Sequence, residues 1–232
     1  MQYEIRYRPA SAMVVVRLEP GESITAEAGA MTYMSPTVRV STRKRQNGLL
    51  GTIVTSVMGG QSFFVNDLAA TETRAEVGLS AAPLGDIGVL EVRPDQGYVV
   101  QRSAFVASSQ GTDLDVQWQG FSKGLFGNGL FMIRATGAGL LFVNAFGAID
   151  RHALGPGERL VVDNFHLVAF SDTCRYEVRK FGGWKSTILS GEWFVTEIEG
   201  PGEVLVQTKS LRELADWLWT VLGPRVEASR AG

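Results

Sequence analysis

Three stretches of this chain align on one another without a gap when Pro20, Pro94 and Pro156 are superposed. The superposition places Glu27, Gln101 and Asp163 together, and likewise Met31, Phe105 and Leu167. Self-similarity of this kind constrains the fold more than composition can, because each copy has to take up the same local structure. In every copy a proline-containing turn precedes an apolar run, a polar break and a second apolar run; Gly155 to Phe170 is the plainest example. This reads as one hairpin-sized β unit, repeated.

The repetition extends further along the chain. The stretch from Gly59 to Asn66 has counterparts from Gly129 to Asn144 and from Gly191 to Gln207, with Phe64, Phe131 and Phe194 in equivalent places. Three units follow: residues 1–88, 89–149 and 150–209, each too small to bury a core by itself. They are expected to pack as β-sandwich layers about a pseudo-threefold axis. Within the first unit, Ala12 to Leu18, Ser23 to Ala28, Ala30 to Met34 and Val38 to Ser41 read as strands. Residues 47–58 depart from this, with Leu49, Leu50, Ile53, Val54, Val57 and Met58 at helical spacing. After the third unit, Ser210 and Glu213 form a capping box, so a helix is expected from Leu211 to Leu222, ended by Gly223-Pro224 and followed by a tail to residue 232. Its apolar residues span roughly 200° of the helical wheel, wider than the ~100° that one buried face needs. Trp217, Leu218 and Trp219 are therefore candidates for a subunit interface, weighed against burial within one chain.

Composition narrows the chemistry. A count of 27 glycines among 232 residues exceeds the usual share of about 7 per cent and implies many tight turns. Twenty-two basic and 24 acidic residues leave a formal charge of -2, so no overall field draws the protein to polyanions. One cysteine, Cys174, excludes an internal disulfide framework. The absence of a leader-like opening or an apolar run of ~18 residues points to a cytoplasmic protein. Asp163, His166 and Ser171 lie near one another in sequence, yet the repeats put Ala30 and Ala104 where His166 stands, and a triad is defined by mutual placement. No catalytic, cofactor or metal set is assigned. Arg43, Lys44 and Arg45, beside the amphipathic stretch containing Ile53, are the candidates for a membrane or nucleic-acid contact. Arg134, Arg151, Arg159, Arg175, Arg179, Lys180 and Lys185 could add a basic surface, against which nearby acids favour a mixed, solvated face.

Several short motifs occur in a fixed order: Gly60 to Asn66, Gly85-Asp86-Ile87, Phe105 to Ser108, Phe142 to Ile149, Val161 to Ala169 and Lys185 to Glu192. Together they resemble the altered-inheritance-of-mitochondria-24-type family, over about residues 1–220. The resemblance implies a fold similar to that of the tryptophan RNA-binding attenuator protein, with three related β-sandwich units per chain and a trimeric, ring-like assembly. It brings no catalytic residues. Mitochondrial relatives are linked to inner-membrane organisation. One departure is that Trp193 stands where the family's Gly-Glu-Gly element has its second glycine.

The combined expectation is an all-β chain of three tandem β-sandwich-like repeats in pseudo-threefold arrangement, plus a C-terminal amphipathic helix. Its expected role is that of a non-enzymatic scaffold or interaction protein acting as a ring-like homo-oligomer with a protein partner of unknown identity. The alternatives are an RNA- or small-ligand-binding ring and a peripheral membrane organiser.

Overall fold

The computed structural model describes residues 1–45, 63–80, 84–119, 130–180 and 194–230. The first strands are β1 (Gln2–Arg6), β2 (Met13–Leu18), β3 (Ser23–Glu27), β4 (Met31–Met34), β5 (Val38–Arg45), β6 (Phe63–Ala70) and β7 (Ala75–Leu79). There follow β8 (Gly85–Val92), β9 (Tyr98–Gln101), β10 (Phe105–Ser109), β11 (Thr112–Gln119), β12 (Leu130–Gly137) and β13 (Gly139–Phe146). Last come β14 (Ile149–Leu154), β15 (Arg159–Asp163), β16 (Leu167–Ser171), β17 (Arg175–Lys180), β18 (Phe194–Glu199) and β19 (Gly202–Gln207), then the helix α1 (Leu211–Arg230).

The strands form four sheets, with the orders β1-β2-β7-β4, β5-β6-β3-β10-β13-β8, β11-β12-β9-β16-β19-β14 and β15-β18-β17. Adding six to every strand number of the second sheet produces the third. Every pair of neighbouring strands is antiparallel.

Three apolar cores separate the four sheets. Val14, Val16, Leu18, Leu68 and Phe142 belong to the first; Val65, Phe105, Leu141 and Val143 to the second; Met132, Phe170, Ile198 and Val204 to the third. Alternation along single strands feeds two cores at once. On β9, Tyr98 and Val100 enter the second core while Val99 enters the third; on β13, Phe142 enters the first and Leu141, Val143 and Ala145 the second. The two central sheets are thus covered on both faces, which is why Phe105 to Ser108 and Leu167 to Ser171 are buried without a break.

The turns opening the first and third aligned stretches share a chemical basis. The Glu22 carboxylate accepts the Glu19 amide at 2.9 Å, and the Glu158 carboxylate accepts the Gly155 amide at 2.7 Å. Gly21 and Gly157, at φ +85° and +79°, supply the left-handed residue that the turn requires.

Three expectations need correction. The two apolar runs of each aligned stretch do not pair as a hairpin, because β3 and β4, β9 and β10, and β15 and β16 lie in different sheets. The polar break carries the chain around a corner, with a 3-10 turn at Arg102–Ala104 in the middle instance. A hairpin would pair such a run along one side; turning the corner lets β10 and β16 each pair on both sides. Secondly, α1 does not stop at Gly223-Pro224 but continues to Arg230 with Pro224 inside it, so residues 224–230 are not a tail. Proline removes one amide donor and crowds one carbonyl, which weakens a helix without always ending it. Finally, a boundary between residues 88 and 89 would cut through β8, which pairs with β13 over its whole length. The helix expected over residues 47–58, including Ile53, lies outside the described residues.

Candidate functional site

The helix begins as the sequence indicates. The Glu213 amide donates to Ser210 Oγ at 3.2 Å and the Ser210 amide to Glu213 Oε2 at 3.3 Å, the two reciprocal bonds of a capping box. Its first turn is tied to the β15–β16 corner. The Arg212 guanidinium lies 5.2 Å from the centre of the Phe165 ring, and Glu213 Oε1 is 3.8 Å from His166 Nε2. His166 Nδ1 is in turn 2.7 Å from the Gln207 carbonyl oxygen. Leu211 and Phe165 line a small cleft together with Gln101, Asn144 and Gln207.

Beyond that turn the helix leaves the body of the protein. Trp217 is 62% exposed and Trp219 61%. Leu218, Val221 and Leu222 are exposed beside them. Gly223 is covered by the Trp219 ring, which would sit 3.1 Å from an added Cβ. The structure therefore does not bury the wide apolar face within its own chain; it leaves two indoles and three aliphatic side chains facing solvent. Large exposed apolar patches of this kind are uncommon on soluble proteins unless something binds them.

Arg43, Lys44 and Arg45 end β5, the outer strand of the second sheet, paired through the backbone with Val65, Phe64 and Phe63. Of the remaining basic residues, Lys185 lies outside the described residues, and four others are each paired with an acid. Arg134 pairs with Asp172 at 3.0 Å, Arg151 with Glu203 at 2.8 Å, and Arg159 with Glu199 at 2.7 Å. Arg179 pairs with Glu197 at 2.9 Å. This mixed surface offers phosphate little unpaired charge.

Asp163, His166 and Ser171 each have a separate hydrogen-bonding duty. Asp163 Oδ1 accepts the Phe165 amide at 2.8 Å, His166 faces the Gln207 carbonyl, and buried Ser171 Oγ accepts the Glu203 amide at 3.0 Å. Burial pushes the Cys174 thiol up, with the Asp172 carboxylate adding to the effect, so it is held away from the reactive thiolate form. Among the described residues no three His, Cys, Asp or Glu side chains gather in a metal-binding group.

Two strands anticipated from the sequence have open edges that it did not reveal. Among the described residues, β4 and β15 each lie at the end of their sheet with one neighbour only, β7 and β18 respectively. Met31 and Tyr33 on β4 and Val161 on β15 are exposed, although the residues aligned with them in the other stretches are buried or half-buried. The aligned apolar runs were the visible signal; that two of them lack a second neighbour was not.

The family question is settled by the extent of the match. The sequence profile of mitochondrial biogenesis AIM24 matches residues 3–209, spanning all nineteen described strands from β1 to β19 but for one residue at the start. The chain belongs to the AIM24 family. An AIM24 relative, an uncharacterized protein of Streptococcus pyogenes serotype M6, is 29% identical over 225 residues, covering 94% of this chain and 90% of that one. The crystal structure of a Streptococcus pyogenes protein superposes with a TM-score of 0.78 at 27% identity, over 95% of this chain and 99% of that one. The AIM24 profile ends at Lys209, one residue before the capping serine of α1, so the helix with its two exposed tryptophans lies beyond the matched region.

Proposed function

We propose that this AIM24 protein is a non-catalytic scaffold that works as a ring-like homo-oligomer of three chains, each contributing three six-stranded β units. The observation that carries the reading is the exposed aromatic face of α1, with Trp217 and Trp219 more than half open to solvent. Indoles are enriched where proteins meet, since they contribute a large apolar area at little conformational cost. The strand orders support the repeat: β2-β7-β4, β8-β13-β10 and β14-β19-β16 are one arrangement three times, as are β5-β6-β3, β11-β12-β9 and β17-β18-β15. In this reading the units are β2–β7, β8–β13 and β14–β19. A ring that presents identical surfaces binds multivalent partners by avidity without tight single contacts. Among the described residues no helix is long and apolar enough to cross a membrane. A reducing cytoplasm suits the buried Cys174 thiol, which donates to the Pro201 carbonyl at 3.6 Å.

Native mass spectrometry of the protein purified gently at low salt tests the proposal. The expected mass is that of three chains, lowered by Trp217→Glu or Trp219→Glu with the circular dichroism of the sheets retained. A single-chain mass for the parent protein overturns the oligomer. Three chains with additional bound mass that leaves as salt rises would make nucleic acid the ligand instead, and bound mass that extracts as lipid would favour the membrane organiser.

A further inference from the structure

We infer that β15 of one chain pairs with β4 of a second copy, antiparallel and in a fixed register, so that the oligomer grows head to tail through a shared sheet. The inference rests on the repeat of the preceding reading and names its interface. In the second sheet β3 pairs with β10, and in the third β9 pairs with β16. These are the two junctions between successive units, and each joins the second strand of one unit to the third strand of the next. The last unit's second strand is β15 and the first unit's third strand is β4. Among the described residues both stand at open sheet edges.

The edges are preshaped for one another. The ladder between β10 and β13 shifts register between Phe105 and Ala107, that between β16 and β19 between Leu167 and Ala169, and that between β4 and β7 between Met31 and Tyr33. All three irregularities fall at the same aligned position. β4 therefore carries the bulge of the two strands that do find a partner, and a bulge fixes how a strand presents its free edge. Ala26 faces Ala107 and Val100 faces Ala169 across the internal junctions. Moving one unit on, Val162 faces Tyr33 of the second copy, Val161 faces Met34 and Leu160 faces Ser35.

Exposure agrees with that register. Tyr33 is 36% and Val161 45% exposed, whereas their counterparts Ala107, Ala169 and Val99 are buried. The joined sheet would read β17-β18-β15 followed by β4-β7-β2 of the second copy, the same six-strand order as the two complete sheets, with β1 added at its end. Pairing within one chain is prevented by the layering: β4 belongs to the first sheet and β15 to the fourth, with the two six-stranded sheets and three cores between them. The β15 edge and the root of α1 are contiguous, since Phe165, two residues past β15, stacks on Arg212. An incoming copy meets the open strand and the helix root together. Unpaired apolar edges are aggregation hazards unless a partner covers them, and a heterologous contact of this type makes a ring when its rotation closes.

Two single-cysteine substitutions distinguish this arrangement from its rivals. Directly opposed residues of an antiparallel pair lie about 4.5–5.5 Å apart at Cα, within disulfide reach. Met34→Cys and Val161→Cys proteins, exchanged together and mildly oxidised, are expected to give a two-chain crosslinked band, with neither protein crosslinking alone. The double variant is expected to give a ladder that ends at the ring size. Crosslinking of either single variant alone would mean a two-fold contact and overturn the head-to-tail pairing. An oligomeric mass with no crosslink in the mixture would overturn the register while leaving the oligomer standing; a single-chain mass would overturn both. As a second measure, Tyr33→Lys with Val161→Lys is expected to lower the oligomer to single chains while the sheet signal stays. An unchanged mass in that variant would also count against the pairing.

Discussion

At the scale of single residues, the chain spends its special chemistry on geometry. The Pro-Gly-Glu stretches persist because the glutamate closes the turn: Glu22 and Glu158 each hold an amide three residues back. Glu158→Ala should cost about 0.5–1.5 kcal/mol, the usual worth of one such bond, read from the denaturant midpoint. Gly85 stands where an added Cβ would come within 1.8 Å of the Ala145 carbonyl oxygen. Gly85→Ala must push β8 off β13, and a loss of roughly 1–3 kcal/mol or more is expected. Beside it, Asp86 receives both arms of the Arg8 guanidinium at 2.7 Å, which accounts for the Gly-Asp pair seen in the sequence. Glu27 carries a pH signature. Burial pushes its carboxyl above the ordinary range, and Arg102 only partly offsets this. A raised acid favours the folded state while protonated, so its contribution is complete below the ordinary carboxylate value and is lost as pH rises through the raised one. Glu27→Gln should therefore melt higher than the parent at neutral pH, with the difference closing as the solution is acidified. Equal melting temperatures across that range would contradict it.

At the scale of elements, the helix and the strands were legible to different degrees. The start of α1 was readable because a capping box is a local device, made by Ser210 and Glu213 within one turn. Its end was not, because Gly223-Pro224 disfavours a helix without forbidding one, and the helix runs on to Arg230. Ser210→Ala should cost the helix about 1 kcal/mol. Since most of α1 does not pack on the sheets, the effect is expected in the hydrogen exchange of its own amides and hardly at all in the melting of the β body. Strand existence was visible from the β-branched run at Ala12 to Leu18 and from the alternation at Val38 to Ser41. Strand partnership was not, since adjacent runs such as Ser23 to Glu27 and Met31 to Met34 carry no mark saying whether they pair or part. The corner was mistaken for a hairpin for that reason. The exposed tryptophans of α1 were legible as an excess of apolar residues around the helical wheel; the open edges of β4 and β15 were not, because their sequences match those of strands that are covered on both sides.

At the scale of the molecule, one large aromatic anchors each core: Phe142 the first, Phe105 the second and Phe170 the third. All three are completely buried, so each Phe→Ala change should cost about 3–5 kcal/mol. Because β9 and β13 each feed two cores, the penalties should appear as shifts of a single unfolding transition. Separate transitions for Phe142→Ala and Phe170→Ala in calorimetry would mean that the cores melt independently. The junction strands also bear on synthesis. Ala26 waits for Ala107, about eighty residues further along, before β3 gains its second neighbour, and at roughly 5–20 residues per second on the ribosome that is an interval of roughly 4–16 s. During it the emerging chain displays a bare apolar strand edge, and the same exposure returns when β9 waits for β16. A nascent chain of this design has its greatest need of a chaperone in mid-translation, well before the last strand has left the exit tunnel.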